Sequence, residues 1–389
     1  MHQSDACYVC NQLLGDGHEF YPALCKICGD FNYKKRGATA DLNGHSALVT
    51  GGRLKIGFEA ALKVLRFGAN TVVTTRFVED AHRRFERQPD FDSWATRLTI
   101  IPADFRMLTS IEHVIGTLFE RLGKLDILIN NAAQTVRRPP AFYRHLLSAK
   151  NEEKETEEPV TGALLLTSRH QREFLASAGD KFLSRHLDSR GIERMSQLIL
   201  MPGDESLDQT IFPPGRVDKD GQQEDRRDWN SWVMMLDDVH LVEFLEVLYI
   251  NLVAPFLLCN RLRAIMKKTS IERPSFVINV TAMEGNFYDP EKNARHVHTN
   301  MAKAGLNMMT RTAALDFVKD RIYMTSVDPG FITNEKPFPL SVETSTRRVK
   351  MAIDEVDGAS RVCDPIIRAL NEKEYLYGVL LKNYSVFPW

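Results

Sequence analysis

The sequence predicts an α/β fold: a doubly wound parallel sheet with helices on both faces, preceded by a small cysteine-rich module. Three observations carry this expectation. Short apolar runs alternate with helical patterns over residues 44–133, a glycine-rich turn joins the first run to the first helix, and the alternation resumes after residue 235. With 389 residues, 43% of them hydrophobic, the chain is long enough for one large domain plus an accessory module.

Residues 1–43 form the module. Four of the six cysteines fall here, as Cys7-x-x-Cys10 and Cys25-x-x-Cys28 with 14 residues between the pairs. Two such knuckles can offer four thiolates to one tetrahedral ion, a closed structural site with no open position for chemistry. Zinc is expected, with a rubredoxin-like iron centre as the runner-up. So short a segment cannot bury a core of its own, so the metal would supply much of its folding. The basic "YKKR" beside it is too short to argue for nucleic acid, and its functional alternative is a protein partner. Cys259 and Cys363 read as reduced packing residues, which argues against a disulfide scaffold.

The remaining elements follow in order. "SALVTGG" (46–52) reads as a strand and "FEAALKVLRFGA" (58–69) as a helix. "NTVVTTR" (70–76) and "LTIIPADF" (98–105) read as strands, "SIEHVIGTLFERLG" (110–123) as a helix, and "LDILINNAA" (125–133) as a strand. Residues 134–235 break the rhythm with "RRPP", the charge run "NEEKETEE" (151–158) and a long polar stretch. They are expected to form an insertion or lid, with some helix near 164–200 and a solvated acidic surface. Rhythm returns with a helix over 239–266, a strand over 275–282, a helix over 296–317, and strands over 322–330 and 377–384.

The loop running from Thr50 through Gly51, Arg53 and Ile56 to Gly57 leads straight into a helix. Glycines there permit a tight turn and let backbone N–H groups approach a pyrophosphate at the helix N-terminus. Read together with "NNAA" (Asn130–Ala133), the loop resembles that of the short-chain dehydrogenase/reductase family. The resemblance covers residues 44–133 and 239–385.

It implies a nicotinamide cofactor and a set of site residues. Gly51 and Gly57 match the first and last glycines of the family's loop, Thr50 opens it, and Lys55 replaces the middle glycine. Asp104 matches an adenine-contacting aspartate, and Asn130, with Ala132 close behind, an asparagine that holds the central strand. Asn251 matches the asparagine of the proton relay and Lys303 the lysine that binds the nicotinamide ribose. Pro329, Gly330, Ile332 and Thr333 match the loop around the nicotinamide. Dimers or tetramers through the 239–266 and 299–317 helices are also implied.

Cofactor choice is read at the end of the second strand, where an acid suits NAD(H) and an arginine suits the 2′-phosphate of NADP(H). Thr75 and Arg76 stand there with no acid before Glu79, and Arg53 is a second candidate cation, so NADP(H) is expected over NAD(H). The family's chemistry is altered. Ala282 takes the serine position and Thr299 that of the tyrosine, one turn before Lys303. An aliphatic hydroxyl can relay a proton but does not readily supply one. Thr281 is expected to face away by strand alternation. His296, His298, Tyr288 or a group from the insertion could substitute, with His298 and Thr299 the candidates carried forward beside Asn251 and Lys303. The expected function is a divergent oxidoreductase acting on an unknown carbonyl, alcohol or activated double bond. The alternative is a silent NADP(H)-binding sensor or scaffold.

A formal net charge of −1 gives no reason to expect nucleic acid or an anionic membrane surface. No apolar run approaches the ~20 residues needed to span a bilayer, and "MHQSDACYVC" lacks the basic and apolar regions expected of a leader. The cytosol is the expected compartment.

Overall fold

The computed structural model describes residues 6–148, 164–165, 189–288, 292–332, 335–338, 340 and 351–389. Among the described residues, nine strands form one sheet: β1 (Ser46–Thr50), β2 (Asn70–Thr75), β3 (Leu98–Pro102), β4 (Ile127–Asn130), β5 (Leu164–Leu165), β6 (Ser275–Val280), β7 (Ile322–Asp328), β8 (Leu380–Lys382) and β9 (Ser385–Phe387). Their order is β5-β3-β2-β1-β4-β6-β7-β8-β9, parallel throughout except for the final β8–β9 pair. The helices are α1 (Lys26–Arg36), α2 (Lys55–Arg66), α3 (Val78–Glu86), α4 (Leu108–Arg121), α5 (Arg144–Ser148), α6 (Ser189–Met195), α7 (Leu241–Ser270), α8 (Val297–Phe317) and α9 (Glu355–Glu372).

Strand alternation divides the core in two. Ile127, Ile129, Phe276 and Ile278 face α2 and α9, meeting Ala60, Leu65, Val362 and Ile366. Leu128, Val277 and Met324 face the other way, toward Ile111 of α4, Leu258 of α7 and Ala314 of α8. Both sheet faces are therefore covered, which is why β1, β4 and β6 are buried along their whole length and read as unbroken apolar runs. α9 starts at a reciprocal cap: Asp354 accepts from the N–H groups of Val356 and Asp357, and Asp357 accepts from Asp354 N at 3.0 Å.

Several boundaries move. Strands read over 98–105, 275–282 and 322–330 end at Pro102, Val280 and Asp328, where the chain leaves the sheet toward the site. The short edge strand β5, the helices α3 and α9, and the helix following Cys25 were not read in the sequence. The acidic run 151–158 and most of the helical expectation near 164–200 lie outside the described residues. One expectation is corrected: α7 is long and apolar enough, by length and composition, to cross a membrane. Its inner face carries Leu258, Leu262, Ile265 and Met266 into the core beside the sheet.

The cysteine module packs onto the sheet domain. Cys7, Tyr21 and Leu24 share an apolar cluster with Ile332 and Ile353, and Lys35 and Arg36 of α1 pair with Asp364 and Asp357 of α9.

Candidate active site

β1 pairs with β2 on one side and β4 on the other, so successive crossovers leave in opposite directions at this point. The crevice beyond the carboxyl ends of these strands is where a doubly wound sheet places its ligands. Thr50 ends β1 there. Its Oγ1 accepts from the N–H groups of Asn131 and Ala132, both at 3.0 Å, locking the ends of β1 and β4 together. Asn131 returns Nδ2 to the Thr50 carbonyl at 3.0 Å. Gly57, in the first turn of α2, sits against this corner, and a Cβ on it would lie 2.3 Å from Asn131 Nδ2 and 2.4 Å from Gly51 O. Only glycine fits. Lys55 holds the left-handed backbone (φ 53°) that the absent middle glycine would adopt without strain, and its Nζ reaches Glu335 at 3.1 Å. The first N–H groups of α2, at Lys55, Ile56 and Gly57, precede the helical ladder and so have no intrahelical acceptor.

At the opposite end of the crevice, the expected adenosine contacts are engaged by the chain itself. Arg53 bonds Asp80 at 2.7 Å and Gln222 of the insertion at 2.9 Å. Burial disfavours its charge, and the Asp80 carboxylate offsets part of that. Asp104 is 1% exposed and gives its carboxylate to Arg106, which also reaches Glu246. Arg76 differs in having a neutral partner: its Nη2 bonds the Tyr143 hydroxyl at 2.8 Å while its guanidinium stacks 4.5 Å from that ring. Burial pushes the Tyr143 phenol up, but Arg76, Arg106 and Arg138 together bring it below its ordinary value. Thr75 is buried at the end of β2, where its Oγ1 accepts from Phe77 N.

A buried polar ladder supports the floor. Asn130 Nδ2 donates to Asn279 Oδ1 at 2.8 Å, and Asn279 Nδ2 to Thr310 Oγ1 of α8 at 2.9 Å. Asn251 sits in a π-helical turn, Tyr249–Val253, of the kind that often marks functional positions. Its side chain closes two bonds with Gln134, accepting from N at 2.7 Å and donating to O at 3.0 Å. The amide thus fixes the chain leaving β4.

Lys303 is buried and donates Nζ to the Val280 carbonyl at 2.8 Å. Burial brings its ammonium down to about 8, with Glu284 and Asp328 pulling the other way. One turn earlier, Thr299 is 3% exposed and its Oγ1 has no hydrogen-bond partner among the described residues. The same holds for Thr281. Thr281 shares the parity of Asn279, whose amide reaches α8, and its N–H still pairs with Val327 O at 2.9 Å. Alternation therefore puts it on the α8 side, the face opposite to Ala282, as expected.

The histidines divide. His296 stacks on Trp232 at 4.5 Å and its Nδ1 bonds the Trp232 carbonyl, so it anchors the insertion to the start of α8. His298 is 1% exposed, makes no hydrogen bond through either ring nitrogen, and turns Nε2 toward Glu243 Oε1 at 3.6 Å. Ser231 donates to the same carboxylate, which, despite burial, is held below its ordinary range. Tyr288 is exposed and borders a surface depression with Arg311, Pro388 and Trp389 rather than covering Thr299. Glu243 and Ser231 were missed in the sequence. The signal was present: Glu243 and Glu246 are three apart on an otherwise apolar helix and both are buried.

Gly330 is left-handed (φ 92°), its N–H returns to Asp328 Oδ1, and Ile332 is buried next to it. Thr333 lies outside the described residues. The sulfurs of Cys7, Cys10, Cys25 and Cys28 lie within 4.8 Å of one another.

Fold, glycine corner and buried lysine define a nicotinamide-dependent oxidoreductase scaffold, and the chain belongs to the short-chain dehydrogenase/reductase family. The short chain dehydrogenase profile matches residues 45–179, and that of enoyl-(acyl carrier protein) reductase matches 233–349. An uncharacterized protein, R665, of Acanthamoeba polyphaga mimivirus is 31% identical over 376 residues, 92% of this chain and 71% of that one. A peroxisomal 2,4-dienoyl-CoA reductase of Danio rerio is 32% identical over 92 residues, 24% of this chain and 30% of its own length. Among solved structures, Pseudomonas aeruginosa RhlG in an NADP complex superposes with a TM-score of 0.54 at 17% identity, covering 88% of this chain and 95% of that one. A dehydrogenase/reductase from Mycobacterium marinum gives 0.53 at 15%, covering 89% and 97%. At these identities the structural likeness speaks for the fold.

Proposed function

We propose that the protein is an NADP(H)-dependent reductase or dehydrogenase of the short-chain type, acting on a carbonyl, alcohol or activated double bond. The observation that carries this is the unpartnered, buried Thr299 hydroxyl one turn from Lys303, whose own Nζ bonds the Val280 carbonyl. The glycine corner that a Cβ would fill, with the first N–H groups of α2 beside it, fits a pyrophosphate. When bound, the dinucleotide supplies or accepts hydride. Lys303 holds the ribose and carries positive charge near neutral pH. Thr299 and Thr281 present hydroxyls to the substrate oxygen, and His298, backed by Glu243, exchanges the proton with it. Arg76 and the Tyr143 hydroxyl favour a 2′-phosphate, because Arg76 hydrogen-bonds a neutral phenol where Arg53 hydrogen-bonds the Asp80 carboxylate.

The four cysteine sulfurs suit one zinc ion, since tetrahedral Zn–S bonds put sulfurs about 3.8 Å apart and Cys10 and Cys25 already stand at 3.9 Å. Zinc here is structural. We further propose a homo-oligomer through α7 and α8, on which Leu241, Leu245, Phe256, Met301, Met308 and Leu315 are exposed.

Fluorescence titration with NADPH and NADH tests the reading, with carbonyl turnover followed in parallel. NADPH is expected to bind at least tenfold more tightly, Arg76→Ala to remove the preference, and Thr299→Tyr to raise turnover. NADPH binding without turnover in either protein would favour the silent sensor. No binding of either nucleotide would overturn both.

A further inference from the structure

The cysteine module touches the sheet domain at a place that a purely structural knob would have no reason to choose. Tyr8 lies between the first two cysteines, and its hydroxyl accepts the N–H of Phe331 at 2.8 Å. The next residue back, Gly330, has no Cβ, and one there would stand 3.0 Å from that hydroxyl and 2.2 Å from Arg361 Nη1. A second connection starts from the last cysteine. Asn32 donates Nδ2 to the Cys28 carbonyl at 2.8 Å and accepts from Arg361 Nη2 at 3.3 Å. Arg361, 2% exposed, then gives Nη1 to the Pro329 carbonyl at 3.2 Å. Pro329, Gly330 and Phe331 are thus held from both ends by groups adjoining Cys7 and Cys28. Ile332, the next residue, packs with Cys7, Tyr21 and Leu24, and Ile56 of the glycine loop lines the same cluster.

We propose that the metal module is a working part of the cofactor site, with Tyr8 as the positioning residue for the Pro329–Phe331 loop and Asn32–Arg361 as its second support. The inference rests on the cofactor reading above, in which this loop borders the nicotinamide. Zinc on the four cysteines fixes the two knuckles. The knuckles fix Tyr8 and Asn32, and these set the loop backbone. By linkage the effect is reciprocal: whatever factor zinc adds to cofactor affinity, the cofactor adds to zinc affinity.

The test uses the full zinc-loaded chain. NADPH affinity is measured for wild type and Tyr8→Phe, zinc per chain is counted for each, and zinc transfer to 4-(2-pyridylazo)resorcinol is timed with and without saturating NADPH. Tyr8→Phe is expected to keep its zinc and lose roughly tenfold in NADPH affinity. NADPH should slow zinc transfer severalfold in wild type and not in the variant, a coupling that packing alone would not produce. Amide exchange of the peptide over 326–332 in wild type should rise on chelation, a readout that stands even if Tyr8→Phe loses its metal. Unchanged NADPH affinity in a zinc-replete Tyr8→Phe, or zinc transfer and loop exchange indifferent to each other's ligand, would overturn the coupling. Failure of zinc-loaded wild type to bind NADPH would overturn the cofactor reading as well.

Discussion

The cofactor side and the substrate side of the crevice are built on opposite principles. On the cofactor side, Thr50 ties Asn131 and Ala132, Asn130 reaches Asn279, and Lys303 reaches the Val280 carbonyl. On the substrate side, Thr281, Thr299 and both nitrogens of His298 are buried with no hydrogen bond among the described residues. A buried polar atom without a partner costs about 1–3 kcal/mol, so three such residues on β6 and α8 are an expensive arrangement for mere packing. The first side is tied by bonds within the chain, with Asn130 Oδ1 left without a partner among the described residues. The second carries hydrogen-bonding capacity that a substrate oxygen can use, which is how stability is traded for activity at a working site.

The largest effect should come from breaking the rigid side. Gly57→Ala places a methyl 2.3 Å from Asn131 Nδ2 and 2.4 Å from Gly51 O, so the β1–β4 corner must open. Overpacking of this kind costs about 1–3 kcal/mol. NADPH affinity measured by fluorescence should fall about ten- to hundredfold, and the melting temperature should fall with it. Wild-type affinity in the variant would show that the corner is not the pyrophosphate cradle.

The two sides were also unequally legible in the sequence. Gly51, Gly57, Asn130 and Lys303 occupy fixed offsets from strand ends, and local periodicity places strand ends to within a few residues. The adenosine end was less legible because its partners are distant: Gln222 meets Arg53, and Tyr143 meets Arg76, both from an insertion whose polar sequence carries no period. Thr281 takes the face opposite to Ala282, as alternation predicts, and what the sequence did not show is that this is the face Asn279 turns toward α8. Tyr8 could not have been read at all, since 323 positions separate it from Phe331. Metal-ligand spacing reveals a closed site and says nothing about what that site leans on.

The substrate side makes the opposite prediction about stability. Thr299→Val keeps the shape of the side chain and removes the unpartnered hydroxyl. If Oγ1 serves the substrate, the variant should be more stable than wild type by about 1–2 kcal/mol in urea denaturation, and its turnover should fall about ten- to hundredfold. The pairing of the two signs is what matters. A Thr299 that merely packs would gain the same stability and leave turnover alone.

The smallest effect lies where the insertion joins α8. His296 stacks on Trp232 and bonds its carbonyl, and burial holds its imidazole below the ordinary 6.5, with Glu284 opposing and His298 and Lys292 reinforcing the shift. The unfolded chain therefore binds the proton more readily than the folded one, so this residue's contribution to stability falls as the pH drops below 6.5. His82, His113 and His145 are displaced in the same direction, so the wild-type slope alone would not isolate it. The informative quantity is the difference between wild type and His296→Gln, which cannot take up that proton. Thermal melts from pH 7.5 to 5 should show wild type losing more than the variant, with the gap opening below pH 6.5. Parallel curves would mean that His296 takes up its proton as readily in the folded chain as in the unfolded one and that the insertion is anchored to α8 by groups indifferent to pH.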